Sequence, residues 1–249
     1  MMIEKLKKYG QDFVASKLES LTGEARAKLE KQLSEIDFDE LDELIRDYVL
    51  KKPVTEIPSD LAPAPFFPFP AKDDAQKEYY EKARKEGERL LSEGKVAMLV
   101  VAGGQGTRLG FDGPKGTYPI TPVKHKTLFQ YFAETIKRVS EKYGRPLHWF
   151  IMTSELNDRR TREFFKENSY FGLGEKNITF FTQGTMPAIS YEGKLLMGAA
   201  DSLALSPNGH GGTLLALKKS GALDEMKKNG VEYISYFQVD NPLAPMADP

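Results

Sequence analysis

The sequence contains no cysteine. That absence removes disulfides, thiolate nucleophiles and thiolate metal sites, and it suits a reducing compartment. An excess of charge is lacking too. The 35 Lys and Arg set against 36 Asp and Glu leave a formal net charge of −1, so no global positive field draws in nucleic acid or an anionic membrane. Long hydrophobic runs are also missing: Val96 to Ala102, the longest, is far too short to cross a bilayer. The amino terminus, MMIEKLKKYGQDF, holds no apolar stretch of the kind a signal peptide needs. Together these absences point to a cytoplasmic protein with neither nucleic-acid nor membrane partners. No internal repeat or low-complexity segment is present, and nothing specifies an oligomeric state.

What is present is a chain of 249 residues, 40% hydrophobic and 29% charged, enough for one sizeable α/β domain and a smaller appendage. Residues 1–52 read as a small helical lobe. Ile3, Leu6, Phe13 and Val14 suggest one helix and Leu29, Leu33 and Ile36 a second. From Phe38 the apolar positions Leu41, Leu44, Ile45, Tyr48 and Val49 mark one helix face, with Asp37 placed to cap it. Residues 53–72 carry six of the fifteen prolines, with Phe66, Phe67 and Phe69 among them. Such a stretch excludes a helix or central strand and reads as a stiff connector, its phenylalanines expected to pin it to the domain it crosses.

Residues 73–249 read as the core. A charged, exposed helix over 73–93 precedes an apolar run at 96–102 suited to a buried parallel strand. Helices over 128–143, 158–167 and after Gly211-Gly212 alternate with strands over 147–152, 177–181 and 233–239, and a hairpin surrounds Glu192-Gly193. That alternation predicts an α/β fold, a mainly parallel doubly wound sheet with helices on both faces.

The segment VAGGQGTRLGFDGPKG, Val101 to Gly116, begins at the carboxyl end of the first core strand, where open α/β sheets bind ligands. Gly103, Gly104 and Gly106 permit sharp turns and close approach of a nucleotide, and their N–H groups are candidates to face a phosphate chain. Arg108 offers a forked donor and Lys115 a point charge, a pair suited to a triphosphate. Two rival glycine motifs fail. No Gly-Lys is followed by Ser or Thr, since Gly94-Lys95 precedes Val96 and Gly193-Lys194 precedes Leu195, and the dinucleotide pattern GxGxxG needs glycine where Leu109 stands. A glycine cluster alone is equally compatible with a surface turn that binds nothing; the two cations at this spacing favour an anion.

GGQGTRLGFDGPKG resembles the signature GGxGTRLGxxxPKG of the eukaryotic-type UDP-sugar pyrophosphorylases, the type 1 UDPGP family, and within it the UDP-N-acetylglucosamine branch. The similarity continues in order through HKTLFQ (125–130), MTSE with a later FF and YFGL (152–173), FFTQGTMPA (180–188), SPNGHGG (206–212), QVDNPL (238–243) and the final ADP. It spans about residues 96–249, and the amino-terminal helices fit the family's extra lobe. The resemblance implies a Rossmann-like, GT-A-like nucleotidyltransferase core that moves UMP from UTP to a hexose 1-phosphate, N-acetylglucosamine 1-phosphate foremost, and releases pyrophosphate.

It further implies roles for individual residues. Val101, Ala102, Gly103, Gly104, Gly106, Thr107 and Lys115 would bind the nucleotide, with Arg108 and Lys115 as the catalytic cations. Gln183, whose carboxamide suits a pyrimidine edge, would contact uracil, and Gly209 would let the base pack closely. Asp240, at the end of a strand, would hold Mg²⁺, for which one protein carboxylate suffices because the ion keeps waters and takes phosphate oxygens. Asn241 and His210 would lie by the substrate. His210 departs from the acetylglucosamine branch, which has asparagine there, and resembles the UDP-glucose and broad-specificity branches. His125 and His148 look structural. Family members continue past the DNP…ADP segment, so the chain is expected to be part of a longer catalytic protein. A uridine-nucleotide-binding module without catalysis is the alternative of another class.

Overall fold

A computed structural model describes residues 1–51, 54 and 57–249. Its helices are α1 (Met2–Lys8), α2 (Asp12–Ser20), α3 (Gly23–Ser34), α4 (Phe38–Leu44), α5 (Asp74–Ser92), α6 (Leu128–Tyr143), α7 (Asp158–Glu167), α8 (Gly212–Ser220) and α9 (Ala222–Lys228). Its strands are β1 (Val96–Val101), β2 (Trp149–Thr153), β3 (Ile178–Thr182), β4 (Thr185–Pro187), β5 (Met197–Ala199), β6 (Ser202–Leu203), β7 (Leu205–Pro207) and β8 (Tyr233–Gln238). By their contacts these elements form two compact units: Met1–Ala64 with Thr185–Pro207, and Pro65–Gly184 with Asn208–Pro249.

In the first unit α1 to α4 surround a core of Leu6, Val14, Leu18, Leu29, Leu33 and Phe38. The single helix expected from Ile3 to Val14 is two, because Gly10 adopts φ 67° and breaks the chain between α1 and α2. Asp37 caps α4, accepting from the N–H groups of Asp39 and Glu40, and the helix runs on into a π-turn over Ile45–Val49. Residues 73–249, anticipated as one core, are divided. Thr185–Pro207 belongs with the helices because Leu195 and Leu203 enter their hydrophobic core. The buried Gln11 side chain reinforces this, accepting from Leu195 N (2.8 Å) and donating to Gly193 O (3.1 Å).

The expected lobe boundary at residues 52 and 53 lies outside the described residues. Further along the connector, Phe66, Phe67 and Phe69 are 74%, 74% and 95% exposed, so they do not anchor it by burial. It is tied instead by α5: Tyr80 Oη donates to Pro68 O (2.6 Å), and Phe67 stacks on Tyr79.

The second unit is built on a four-stranded sheet in the order β3-β2-β1-β8, all neighbours parallel. Alternate side chains of β1 and β2 feed two separate cores. Met98, Val100, Trp149 and Ile151 meet Phe129, Phe132, Ile136 and Phe165 of α6 and α7 on one face. Ala97, Leu99, Phe150 and Met152 meet Ala216, Leu217, Ala222 and Met226 of α8 and α9 on the other. Burial on both faces explains why these strands read as unbroken apolar runs. Each fully buried phenylalanine contributes about 1.5–3 kcal/mol. Helix α6 starts where Thr127 caps Gln130 N and stops where Gly144 turns left-handed.

Chain order gives the sheet its reversal. The chain passes from β1 outward to β2 and β3, then returns to place β8 on β1's other side. Ligands of open α/β sheets gather at the carboxyl ends of strands flanking such a reversal. The loops after β1 and β8 meet there.

Candidate functional site

The loop after β1 is held in a defined shape. Val101 and Ala102 are buried; Val101 O accepts from Val239 N (3.1 Å), and Ala102 N donates to Met152 O (2.8 Å). Beyond them three successive carbonyls are tied to side chains. Ala102 O and Gly104 O accept from Asn157 Nδ2 (2.9 and 3.3 Å), and Gly103 O accepts from Ser154 Oγ (2.8 Å). Lys115 N also donates to Gly104 O (3.1 Å). Among the described residues, the N–H groups of Gly103, Gly104 and Gln105 have no protein acceptor. A run of backbone amides left unspent while its carbonyls are secured is an anion-binding arrangement.

Gly106 departs from expectation. It is buried, and its N–H donates to Gly113 O (2.9 Å) rather than facing outward. Its lack of a Cβ serves packing, since an added methyl would come within 2.7 Å of the Phe111 ring. Thr107 and Arg108 lie on an exposed 3₁₀ turn, Thr107–Leu109. Arg108 forms no ion pair among the described residues.

Lys115 opens a second 3₁₀ turn, Lys115–Thr117, seated by Gly116 against the Phe129 ring. Its side chain is 12% exposed, and Nζ reaches Asp240 Oδ2 (3.1 Å) just beyond β8. Burial alone would lift the Asp240 carboxyl. The hydrogen bond and charge of Lys115, with help from Arg108, outweigh that and hold it below the usual carboxylate range. Asp240 remains 53% exposed, so it is paired yet accessible. Asn241 stands on the exposed turn that follows, its N–H donating to Gln238 O.

Gln183 and the 208–212 turn come together on the other side. Gln183 Nε2 donates to Gly209 O (3.0 Å), while a Cβ on Gly103 would lie 2.9 Å from Gln183 Oε1. Gly103 is therefore a close-approach position. Gly209 is needed for another reason, its φ of 72°. His210 is fixed by β8: Tyr236 Oη lies 3.0 Å and Gln238 Nε2 3.3 Å from its Nδ1. An amide nitrogen only donates, so Nδ1 is the acceptor and the neutral ring carries its proton on Nε2.

The structure thus gathers Gly103, Gly104, Lys115, Gln183, Gly209 and Asp240 at one edge of the sheet, with His210 against β8. Ser154, Asn157, Tyr236 and Gln238 were not legible as site residues. Ser154 falls in MTSE and Tyr236 and Gln238 in the expected strand over 233–239, but no local pattern reveals which partner these side chains brace.

Among the described residues no cluster of three His, Cys, Asp or Glu side chains is present. A lone Asp240 fits a hard ion that draws its other ligands from water and phosphate, not one caged wholly by protein. His148, by contrast, is structural, stacked on Phe150 with Nε2 2.8 Å from Thr179 Oγ1.

The chain is similar to known proteins over its whole length. A UDP-N-acetylglucosamine diphosphorylase from Arabidopsis thaliana is 38% identical over 261 aligned positions, covering 100% of this chain and 51% of the relative. The crystal structure of a uridine diphosphate N-acetylglucosamine pyrophosphorylase from Trypanosoma brucei superimposes with a TM-score of 0.74 at 29% identity, covering 99% of this chain and 52% of that one. A putative UDP-N-acetylglucosamine pyrophosphorylase from Entamoeba histolytica gives a TM-score of 0.62 at 38% identity, covering 68% and 44%. The chain spans about half the length of these relatives. The family model described as UTP--glucose-1-phosphate uridylyltransferase matches residues 62–249, and with that match over most of its length the chain belongs to this uridylyltransferase family.

Proposed function

We propose that the chain is the UTP-binding and catalytic part of a uridylyltransferase that transfers UMP to a hexose 1-phosphate, N-acetylglucosamine 1-phosphate foremost. The observation that carries this reading is the loop after β1: three secured carbonyls, three amides without a protein acceptor among the described residues, and Lys115 Nζ 3.1 Å from Asp240 at the sheet's reversal. A phosphate oxygen of the sugar 1-phosphate attacks the α-phosphorus of UTP, a new P–O bond forms, and the bond to the β-phosphate breaks to release pyrophosphate. No protein nucleophile is required. The work is positioning and charge neutralisation.

In this mechanism the loop amides orient the triphosphate, Lys115 binds the α/β region or the incoming phosphate, and Arg108, without an ion pair among the described residues, steadies the leaving pyrophosphate. Gln183 contacts the uracil edge near Gly209. Asp240 would hold a divalent ion, Mg²⁺ in our reading, which when bound neutralises charge on the phosphates. His210, with Nε2–H directed by the bond at Nδ1, donates to sugar hydroxyls or phosphate, and Asn241 flanks the same opening. The lack of cysteine supports a cytoplasmic setting, and among the described residues no helix is long and apolar enough to cross a membrane.

One observation favours a second substrate. Histidine at 210, in place of the acetylglucosamine branch's asparagine, supports glucose 1-phosphate or a broader range of sugars. Incubation with UTP, Mg²⁺ and a panel of sugar 1-phosphates, followed by pyrophosphate release, tests both readings. Uridine-nucleotide binding without release would instead favour a non-catalytic module.

A further inference from the structure

Asn157 occupies the residue before α7, where a side chain ordinarily caps its own helix. It does not do so: α7 receives no side-chain cap bond. The Asn157 side chain is fully buried and turned toward the loop after β1. Its Nδ2 donates to Ala102 O and Gly104 O, and its Oδ1 accepts from Ser154 N (2.9 Å). Ser154 Oγ supplies the bond to the carbonyl between them, Gly103 O.

The loop needs such bracing. Gly103 and Gly104 lack the side chains that restrict backbone rotation, so either adjoining peptide could turn over at little intrinsic cost. Turning the 103–104 peptide would point a carbonyl, instead of an amide, at an incoming phosphate. The bonds from Ser154 and Asn157 hold Gly103 O and Gly104 O inward, which leaves the amides of Gly104 and Gln105 outward.

We propose that Asn157, seconded by Ser154, is a positioning residue for nucleotide binding: it fixes the peptide orientation of the glycine loop so that the loop's amides meet the phosphates. The inference rests on the loop being the UTP site. It differs from a purely structural role because it places the loss on the phosphate chain and not on the nucleoside.

The test compares the unsubstituted chain with Asn157→Ala and Ser154→Ala, measuring affinity for UTP by calorimetry and for uridine by NMR titration, with thermal unfolding as the folding control. Each variant gives up at least one hydrogen bond to a carbonyl of the glycine loop, so UTP affinity is expected to fall about tenfold or more, with the greater loss for Asn157→Ala. Uridine affinity should stay within about twofold. Ser154→Ala removes a single bond and keeps the comparison available if Asn157→Ala does not fold. Unchanged UTP affinity in the folded variants, or equal losses for UTP and uridine, overturns the inference alone. Failure of the unsubstituted chain to bind UTP overturns the site reading and the inference together.

Discussion

Lys115 Nζ and Asp240 Oδ2 lie 3.1 Å apart, although 125 residues separate them in sequence. The pair bridges the loop after β1 to the end of β8, the two strands that flank the sheet's reversal. It is the only ammonium-to-carboxylate contact at this edge among the described residues, and it holds the Asp240 carboxyl below the usual carboxylate range. Replacing Lys115 with Ala is expected to slow pyrophosphate release on the order of 10²–10³-fold, the usual cost of one preorganised charge contact. Steady-state turnover measures it, and near-normal turnover would remove Lys115 from the mechanism.

Gly116 sets the position of that lysine. An added Cβ would sit 2.1 Å from a carbon of the Phe129 ring, itself fully buried. Gly116→Ala is therefore expected to cost about 1–3 kcal/mol of stability through overpacking. A lower denaturant midpoint, accompanied by reduced activity as Lys115 shifts, is the expected outcome.

His148 gives the fold a pH dependence. Burial pushes its pKa below the ordinary 6.5, more strongly than nearby Glu225 pulls it up. The unfolded chain therefore takes a proton at a higher pH than the folded one. The stabilising contribution is complete above about pH 6.5 and is lost as pH falls through the lower, folded value. Melting temperature should drop as pH falls below about 6.5, and a His148→Gln variant should show a smaller drop.

Tyr236 orients His210 from β8. Tyr236→Phe leaves Gln238 as the remaining donor to Nδ1, and the KM for the sugar 1-phosphate is expected to rise up to about tenfold with the KM for UTP little changed. His210→Asn should tilt preference toward N-acetylglucosamine 1-phosphate over glucose 1-phosphate. Equal effects on both substrates would argue that His210 only orders the turn.

Much of this was legible in the sequence where periodicity and capping agree. Helices α6 and α7 fall on residues 128–143 and 158–167 as their patterns indicate, since Thr127 and Gly144 mark the ends of the first and buried aromatics line both. The all-apolar β1 announced burial on two faces. Local patterns were silent wherever long-range packing decides. Residues 185–207 read as part of the core, yet Leu195 and Leu203 are buried among the amino-terminal helices. The phenylalanines of the connector read as anchors and are exposed. In the site, glycine spacing and cations located the loop, but the similar-looking Gly103 and Gly106 differ: the first has no acceptor for its N–H among the described residues, and the second spends it on Gly113. Asn157, 55 residues from its partner Ala102, carries no sequence mark of its purpose.

A crystal of the protein grown with UTP and Mg²⁺ examines the central claim at its source. Phosphate oxygens within hydrogen-bond reach of the amides of Gly103, Gly104 and Gln105, with Lys115 Nζ turned toward them, are expected. A nucleotide bound elsewhere, with those three amides facing solvent, contradicts it.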